Sequence, residues 1–131
     1  MNTPATVAEA VLRRSLPLFV YGTLRRGEVN HTPFLGGRFT AVLPARLEDH
    51  VRCVGSHGYF VVRPQAHAQV EGELFFLDPA EDRTTLEACD RLEEIPPGEL
   101  QGAWYARRIV TVWAAGTTHQ AWIYLDAAAA G

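Results

Sequence analysis

Apolar and polar positions along most of this chain fall into short strand-like stretches, and in one place they follow the helical period. Leu18-Phe-Val-Tyr21 is a continuous apolar run closed by Gly22, the pattern of a buried strand that ends in a tight turn. A glycine there admits positive φ and lets a ligand approach the main chain. Successive N–H groups in such a turn can also cup an anion. A strand and a turn with no further role fit the stretch equally well. More strand-like pieces run Phe39–Leu47, Val51–Val54 and Tyr59–Val62. Pro44 predicts that the first of them is an edge or bulged strand. Gln69 to Phe76 alternates and then turns wholly apolar, a further strand with Gly72 as a bulge. Trp104–Trp113 and Thr118–Leu125 predict a hairpin across Ala114-Ala-Gly-Thr117.

The long helix announces itself by its ends. Asp78 reads as the N-cap, Pro79 as the first helical residue, and Glu81 stands three after the cap. Pro96 and Pro97 cannot continue it, so it is predicted to run to about Glu93. Thr6-Val-Ala-Glu9 is a capping-box pattern and predicts a short helix over residues 7–14. Residues 25–37 read as loop with a helical turn at Thr32–Leu35. Mostly antiparallel strands with one long helix make the chain α+β, in a small, partly closed barrel.

Size and charge then narrow the class. The 131 residues suffice for one domain with one core, here about 17–125, with a helical extension over 1–16 and a tail over 126–131. A net charge of −3 offers no basic footprint for nucleic acid. No apolar run reaches membrane-spanning length. Glu9, Arg13 and Arg14 interrupt the N-terminal apolar stretch where a signal peptide needs a continuous one. Cys53 and Cys89 make no disulfide framework. The expectation is a cytoplasmic protein with free thiols, a monomer or small homo-oligomer, in which the Asn30-His-Thr32 sequon is coincidence.

Chemistry enters through the helix. At about 100° per residue, Leu86, Cys89, Leu92 and Glu93 share one side. A carboxylate within an apolar stripe is desolvated, which raises its pKa toward the range of a general acid/base. Equally, Glu93 in the last turn before two prolines could fray into solvent. On the strand after it, Tyr105 and Arg107 share a face by the period of two. Near an acidic site they could hydrogen-bond a substrate and pair with a carboxylate; ordinary cross-strand packing explains them as well. Ser56 and His57 are adjacent, so on a strand they point to opposite faces and form no nucleophile–base pair. Cys53 and His57 would lie roughly 13 Å apart if extended, at about 3.3 Å per residue. The histidines show no metal-ligand spacing, and no phosphate or dinucleotide glycine loop is present. A cofactor-free acid/base enzyme remains, or a binding domain.

Five short motifs, in order, resemble the γ-glutamylcyclotransferase-like family, which includes the γ-glutamylamine cyclotransferases. Phe19-Val-Tyr-Gly-Thr-Leu-Arg25 resembles its Tyr-Gly-Ser/Thr-Leu loop, and Gly58-Tyr-Phe-Val-Val62 its glycine–aromatic–apolar segment. Val70-Glu-Gly-Glu-Leu74 is similar to its Val-x-Gly-Glu-Leu strand, Asp90-Arg-Leu-Glu93 to its Asp-x-x-Glu helix end, and Tyr105-Ala-Arg107 to its Tyr-x-Arg strand. The resemblance implies a small mixed, mostly antiparallel β-barrel flanked by helices, with a cavity at the Tyr-Gly-Thr-Leu loop and no metal or cofactor. It implies Glu93 as general acid/base. Tyr21, Gly22, Thr23, Leu24, Tyr105 and Arg107 are the expected substrate contacts. The implied reaction turns a γ-glutamyl amine or γ-glutamyl amino acid into 5-oxoproline by attack of its own α-amine. Three features depart from the family pattern: Glu94 where glycine often follows the glutamate, Phe60 in place of a proline, and a longer connection from Glu93 to Tyr105. They bear on the leaving-group side of the cavity. A non-catalytic module that holds a small carboxylate or anion, or an accessory domain of an amide-hydrolysing enzyme, is the competing reading.

Overall fold

The computed structural model describes residues 16–130, so the helix expected over 7–14 lies outside it. The described elements are β1 (Leu18–Val20), α1 (His31–Phe34), β2 (Phe39–Val54), β3 (Phe60–Leu77), α2 (Asp82–Leu92), β4 (Tyr105–Ala114) and β5 (Thr117–Asp126), followed by a 3₁₀ turn at Ala127–Ala129. The strands close into a ring in the order β1-β3-β2-β4-β5. Every neighbouring pair is antiparallel except β1 and β5, which meet in parallel at Leu18 and Trp122. The α+β class and the mixed, mostly antiparallel sheet therefore hold.

The short β1 explains why its sequence carries no polar residue. Leu18, Phe19 and Val20 are all buried, because successive side chains point to opposite faces and both faces are covered. Phe19 and Tyr21 pack with Leu47, Val62, Leu74 and Ile123 inside the ring. Leu18 and Val20 pack outward with Leu35, Phe75, Cys89 and Ile95 beneath the helices. Fully burying a side chain of this size stabilises the fold by about 1.5–3 kcal/mol, so β1 alone ties the two cores together.

Five strands stand where six or so were expected, because neighbouring pieces join. Phe39–Leu47 and Val51–Val54 are one strand, with a register shift between Glu48 and His50. Tyr59–Val62 and Gln69–Phe76 likewise merge into β3. Asp49 and His67 carry the irregularity at positive φ, 58° and 65°, and the Asp49 carboxylate accepts from the His67 N–H at 3.1 Å. Pro44 keeps its register with Glu73 in β3. On the other side, β2 meets β4 in a single register pair, Arg46 with Trp113, so this part of the strand has the edge character that proline requires. Gly72 is not a bulge, since it pairs in register with Ala45. It is needed where β1 crosses close by: a Cβ would lie 2.4 Å from the Val20 carbonyl oxygen and 2.8 Å from the Phe19 ring.

The hairpin β4–β5 turns at Ala115 and Gly116, both at positive φ (52° and 79°), the geometry of the two-residue turn that suits strand twist. Helix α2 begins later than its sequence signals. Asp78 accepts from the N–H of Ala80 and of Glu81, at 3.0 Å and 3.1 Å, so it caps a separate turn and the helix starts only at Asp82. The tail is less idle than expected: Asp126 caps the 3₁₀ turn through the Ala128 N–H, and Ala130 packs against the ring interior. Among the described residues no helix is long and apolar enough to cross a membrane.

Candidate active site

A cavity of about 570 Å³ is lined by the loop after β1, the turn between β2 and β3, the end of α2 and the start of β4. At the end of β1 the Tyr21 phenol turns into the interior and donates to the Tyr124 carbonyl, while its own carbonyl accepts from Arg52 at 2.9 Å. The loop is held by its carbonyls and side chains. Gly22 O accepts from Arg25 N at 3.1 Å and Thr23 O from Asn30 N at 2.9 Å; the Asn30 amide donates to the Thr23 hydroxyl at 2.8 Å. Among the described residues the N–H groups of Gly22, Thr23 and Leu24 have no acceptor, and all three residues line the cavity. Main-chain N–H groups that line a cavity without an intramolecular acceptor are free to donate to an anion. Gly22 achieves this without the positive φ expected of it. A Cβ at this position would meet nothing nearer than Phe60 at 3.9 Å, so its contribution is open space beside the main chain. The Leu24 side chain is buried in the outer core, which leaves only its backbone to face a ligand.

The opposite wall is the C-terminus of α2. Glu94 N donates to Arg91 O at 3.1 Å and Ile95 N to Asp90 O at 2.8 Å, with Glu94 at φ 59°. This is the two-bond stop that usually carries glycine at the left-handed position. The stop leaves Glu93 as the last capping residue, held rather than frayed. Cys89 is fully buried on the same side, Leu86 and Leu92 pack there, and Glu93 reaches the cavity. Its carboxylate has neither a cation nor a hydrogen-bond donor among the described residues. Burial pushes it up to about 7, and the Glu94 and Asp90 carboxylates push the same way. Burial likewise carries the Cys89 thiol up to about 12, which makes it inert at neutral pH.

Tyr105 also lines the cavity; its hydroxyl donates to the Phe60 carbonyl at 2.7 Å. Burial, with the nearby Glu93 charge, holds the phenol well above its usual range. Arg107 is not brought to this cavity. Its guanidinium grips Asp90 through two bonds, 2.8 Å and 3.1 Å, and lies 4.3 Å over the Trp122 ring, beside a separate hollow of about 340 Å³. The shared strand face was right, but two positions along it the sheet has passed from one hollow to the next. Of the expected substrate contacts, Arg107 therefore lies apart from the cavity that the others line. Asp90 also accepts from the Tyr124 hydroxyl at 2.7 Å, so it ties the helix end to β4 and β5.

His57, set aside on the sequence, lies in the cavity wall with Nε2 3.1 Å from the Tyr105 hydroxyl. It sits in a turn, not a strand: Gly55 N donates to Tyr59 O at 2.8 Å and Gly58 N to Gly55 O at 2.9 Å. The flanking pair Gly55 and Gly58 was the signal that strand alternation does not apply there. Among the described residues no cluster of three or more His, Cys, Asp or Glu side chains could hold a metal.

The chain is similar to a curated Vibrio cholerae protein named "Putative gamma-glutamylcyclotransferase", 33% identical over 79 residues, which are 60% of this chain and 63% of that one. An AIG2-like protein of Mus musculus superposes with a TM-score of 0.64 at 26% identity, over 87% of this chain and 78% of that one. A glutathione-specific γ-glutamyl cyclotransferase of yeast shares the fold at a TM-score of 0.64 and 11% identity, over 85% of this chain and 68% of that one. The family model described as gamma-glutamyl cyclotransferase, AIG2-like matches residues 18–129, and the chain belongs to that family.

Proposed function

We propose that this protein is a γ-glutamylcyclotransferase that releases 5-oxoproline from a γ-glutamyl amine or γ-glutamyl amino acid, with Glu93 as the proton carrier. Family membership supports a cyclotransferase-type function. The observation that carries the specific reading is that a carboxylate raised to about 7 and without a partner among the described residues shares one cavity with three main-chain N–H groups that likewise have no acceptor there.

The reaction asks little of the protein. The α-nitrogen and the γ-carbonyl carbon belong to one molecule, so holding it folded supplies most of the rate. Glu93 takes a proton from the attacking ammonium. The freed α-nitrogen bonds to the γ-carbon, and Glu93 hands its proton to the leaving nitrogen as the bond from that carbon breaks. The second proton shed by the ring nitrogen follows through the same carboxylate, so 5-oxoproline keeps one N–H and the amine departs as an ammonium. A group titrating near neutrality serves both transfers. The N–H groups of Gly22, Thr23 and Leu24 hold the substrate carboxylate or the developing oxyanion. Tyr105 orients the substrate, and Tyr21 forms the floor.

The test is a panel of γ-glutamylamines and γ-glutamyl amino acids assayed for 5-oxoproline. The native protein is expected to turn over at least one member, and Glu93→Gln to lose about 10²–10⁴-fold. Full turnover by Glu93→Gln removes Glu93 from the chemistry. Binding of a panel member without turnover by the native protein makes the domain a small-carboxylate binding module.

A further inference from the structure

His57 takes no part in the reaction above, yet its ring is fixed on every side. The imidazole lies flat on the Trp104 indole, centroids 4.6 Å apart and 9° from parallel, with the Tyr59 and Tyr105 rings at steep angles to it. A Cβ on residue 55 would come within 2.8 Å of its Nδ1 and Cε1, so glycine there is what admits the ring. Nδ1 is buried and has no hydrogen-bond partner among the described residues.

The two bonds at the Tyr105 oxygen determine where the protons are. That oxygen lies 2.7 Å from the Phe60 carbonyl oxygen and 3.1 Å from His57 Nε2. A phenol has one proton and a carbonyl has none, so the shorter contact needs the phenolic proton between the oxygens. The proton in the other contact must then come from Nε2. The opposite tautomer would set two lone pairs against each other and strand an N–H at Nδ1, where no acceptor stands. An unpaired acceptor at Nδ1 is the less costly orphan.

We infer that His57 is a positioning residue: by donating from Nε2 it fixes the Tyr105 phenol with its proton on the Phe60 carbonyl. Tyr105 then meets a ligand as a hydrogen-bond acceptor, not a donor. Resting on the cyclotransferase reading, this gives the cavity a polarity. The Tyr105 side takes an N–H-bearing group, the α-ammonium of the substrate, while the free N–H groups of the loop Gly22–Leu24 take its carboxylate. The His57 bond thus helps decide which end of the glutamyl group faces Glu93.

Two measurements test this without turnover. Long-range ¹⁵N–¹H spectra of the native protein are expected to show His57 protonated at Nε2 and bare at Nδ1; the Nδ1–H pattern, or averaging between the two, overturns the inference. NMR titration then compares a γ-glutamylamine with its analogue lacking the α-amine, in the Glu93→Gln background. His57→Ala is expected to weaken the amine-bearing ligand about tenfold, the scale of one hydrogen bond, and to leave the analogue unchanged. His57→Gln, which keeps a donor, should restore part of the loss. Gly55→Ala, which displaces the ring without removing it, should reproduce it. Equal weakening of both ligands, or of neither, overturns the inference. A native protein inert on every substrate, yet showing the Nε2–H tautomer and this selectivity, defeats the enzymatic reading and leaves the positioning role standing.

Discussion

Replacing Glu93 by glutamine should change how stability depends on pH, whatever the substrate is. The native carboxyl is raised from 4.5 to about 7 because burial penalises its charged form, with Glu94 and Asp90 adding to the effect. The folded chain therefore holds this proton more tightly than the unfolded chain does. That contribution is fully present below the unfolded pKa and is lost as pH rises through the folded one. At about 1.4 kcal/mol per decade the displacement corresponds to about 3 kcal/mol, an upper figure because the group borders an open cavity. Glutamine fills the same volume and does not titrate. Urea denaturation of both proteins at pH 5 and pH 8 should show the native chain losing about 2–3 kcal/mol relative to Glu93→Gln over that interval. A stability difference that stays constant from pH 5 to pH 8 would refute the reasoning, for it would mean that the carboxyl titrates as an ordinary exposed one.

Glu94→Gly should raise stability by about 0.5–1 kcal/mol, since relief of a left-handed residue outweighs the added freedom of the unfolded chain; it should also lower the Glu93 pKa, read by carboxyl ¹³C titration. Asp90→Asn should cost about 2 kcal/mol in urea denaturation, because it leaves the Arg107 guanidinium, 13% exposed, without its charge partner. It should also lower turnover through the displaced helix end. A thiol reagent at pH 8 should modify Cys53 alone in the folded protein and Cys89 only after unfolding, because Cys89 is fully buried; modification of both at equal rates would contradict the packing under α2.

What could be read from the sequence was local. The hairpin was legible because Ala115-Gly116 meets the demand of a two-residue turn, and the end of α2 because Pro96 and Pro97 follow it. Glu93 stood out because it shares a side with Cys89 and Leu92. What escaped depends on contacts between distant residues. The join across Asp49 relies on a bond from His67, eighteen positions on, and no pattern around Asp49 announces it. Asp78 is a sound capping residue, but here it caps a turn before the helix. Periodicity gave Arg107 a face but not a neighbour, and Asp90 decided what that face meets. His57 drew no role from the sequence because its contacts with Tyr105 and Trp104 join residues far apart in the chain.

The most direct measurement is a crystal structure of Glu93→Gln soaked with a γ-glutamylamine. The α-carboxylate is expected on the N–H groups of Gly22, Thr23 and Leu24, the α-nitrogen about 3–3.5 Å from the γ-carbonyl carbon, and residue 93 beside that nitrogen. A ligand bound in extended form, or seated in the hollow beside Arg107 with the Gly22–Leu24 amides left bare, would contradict it.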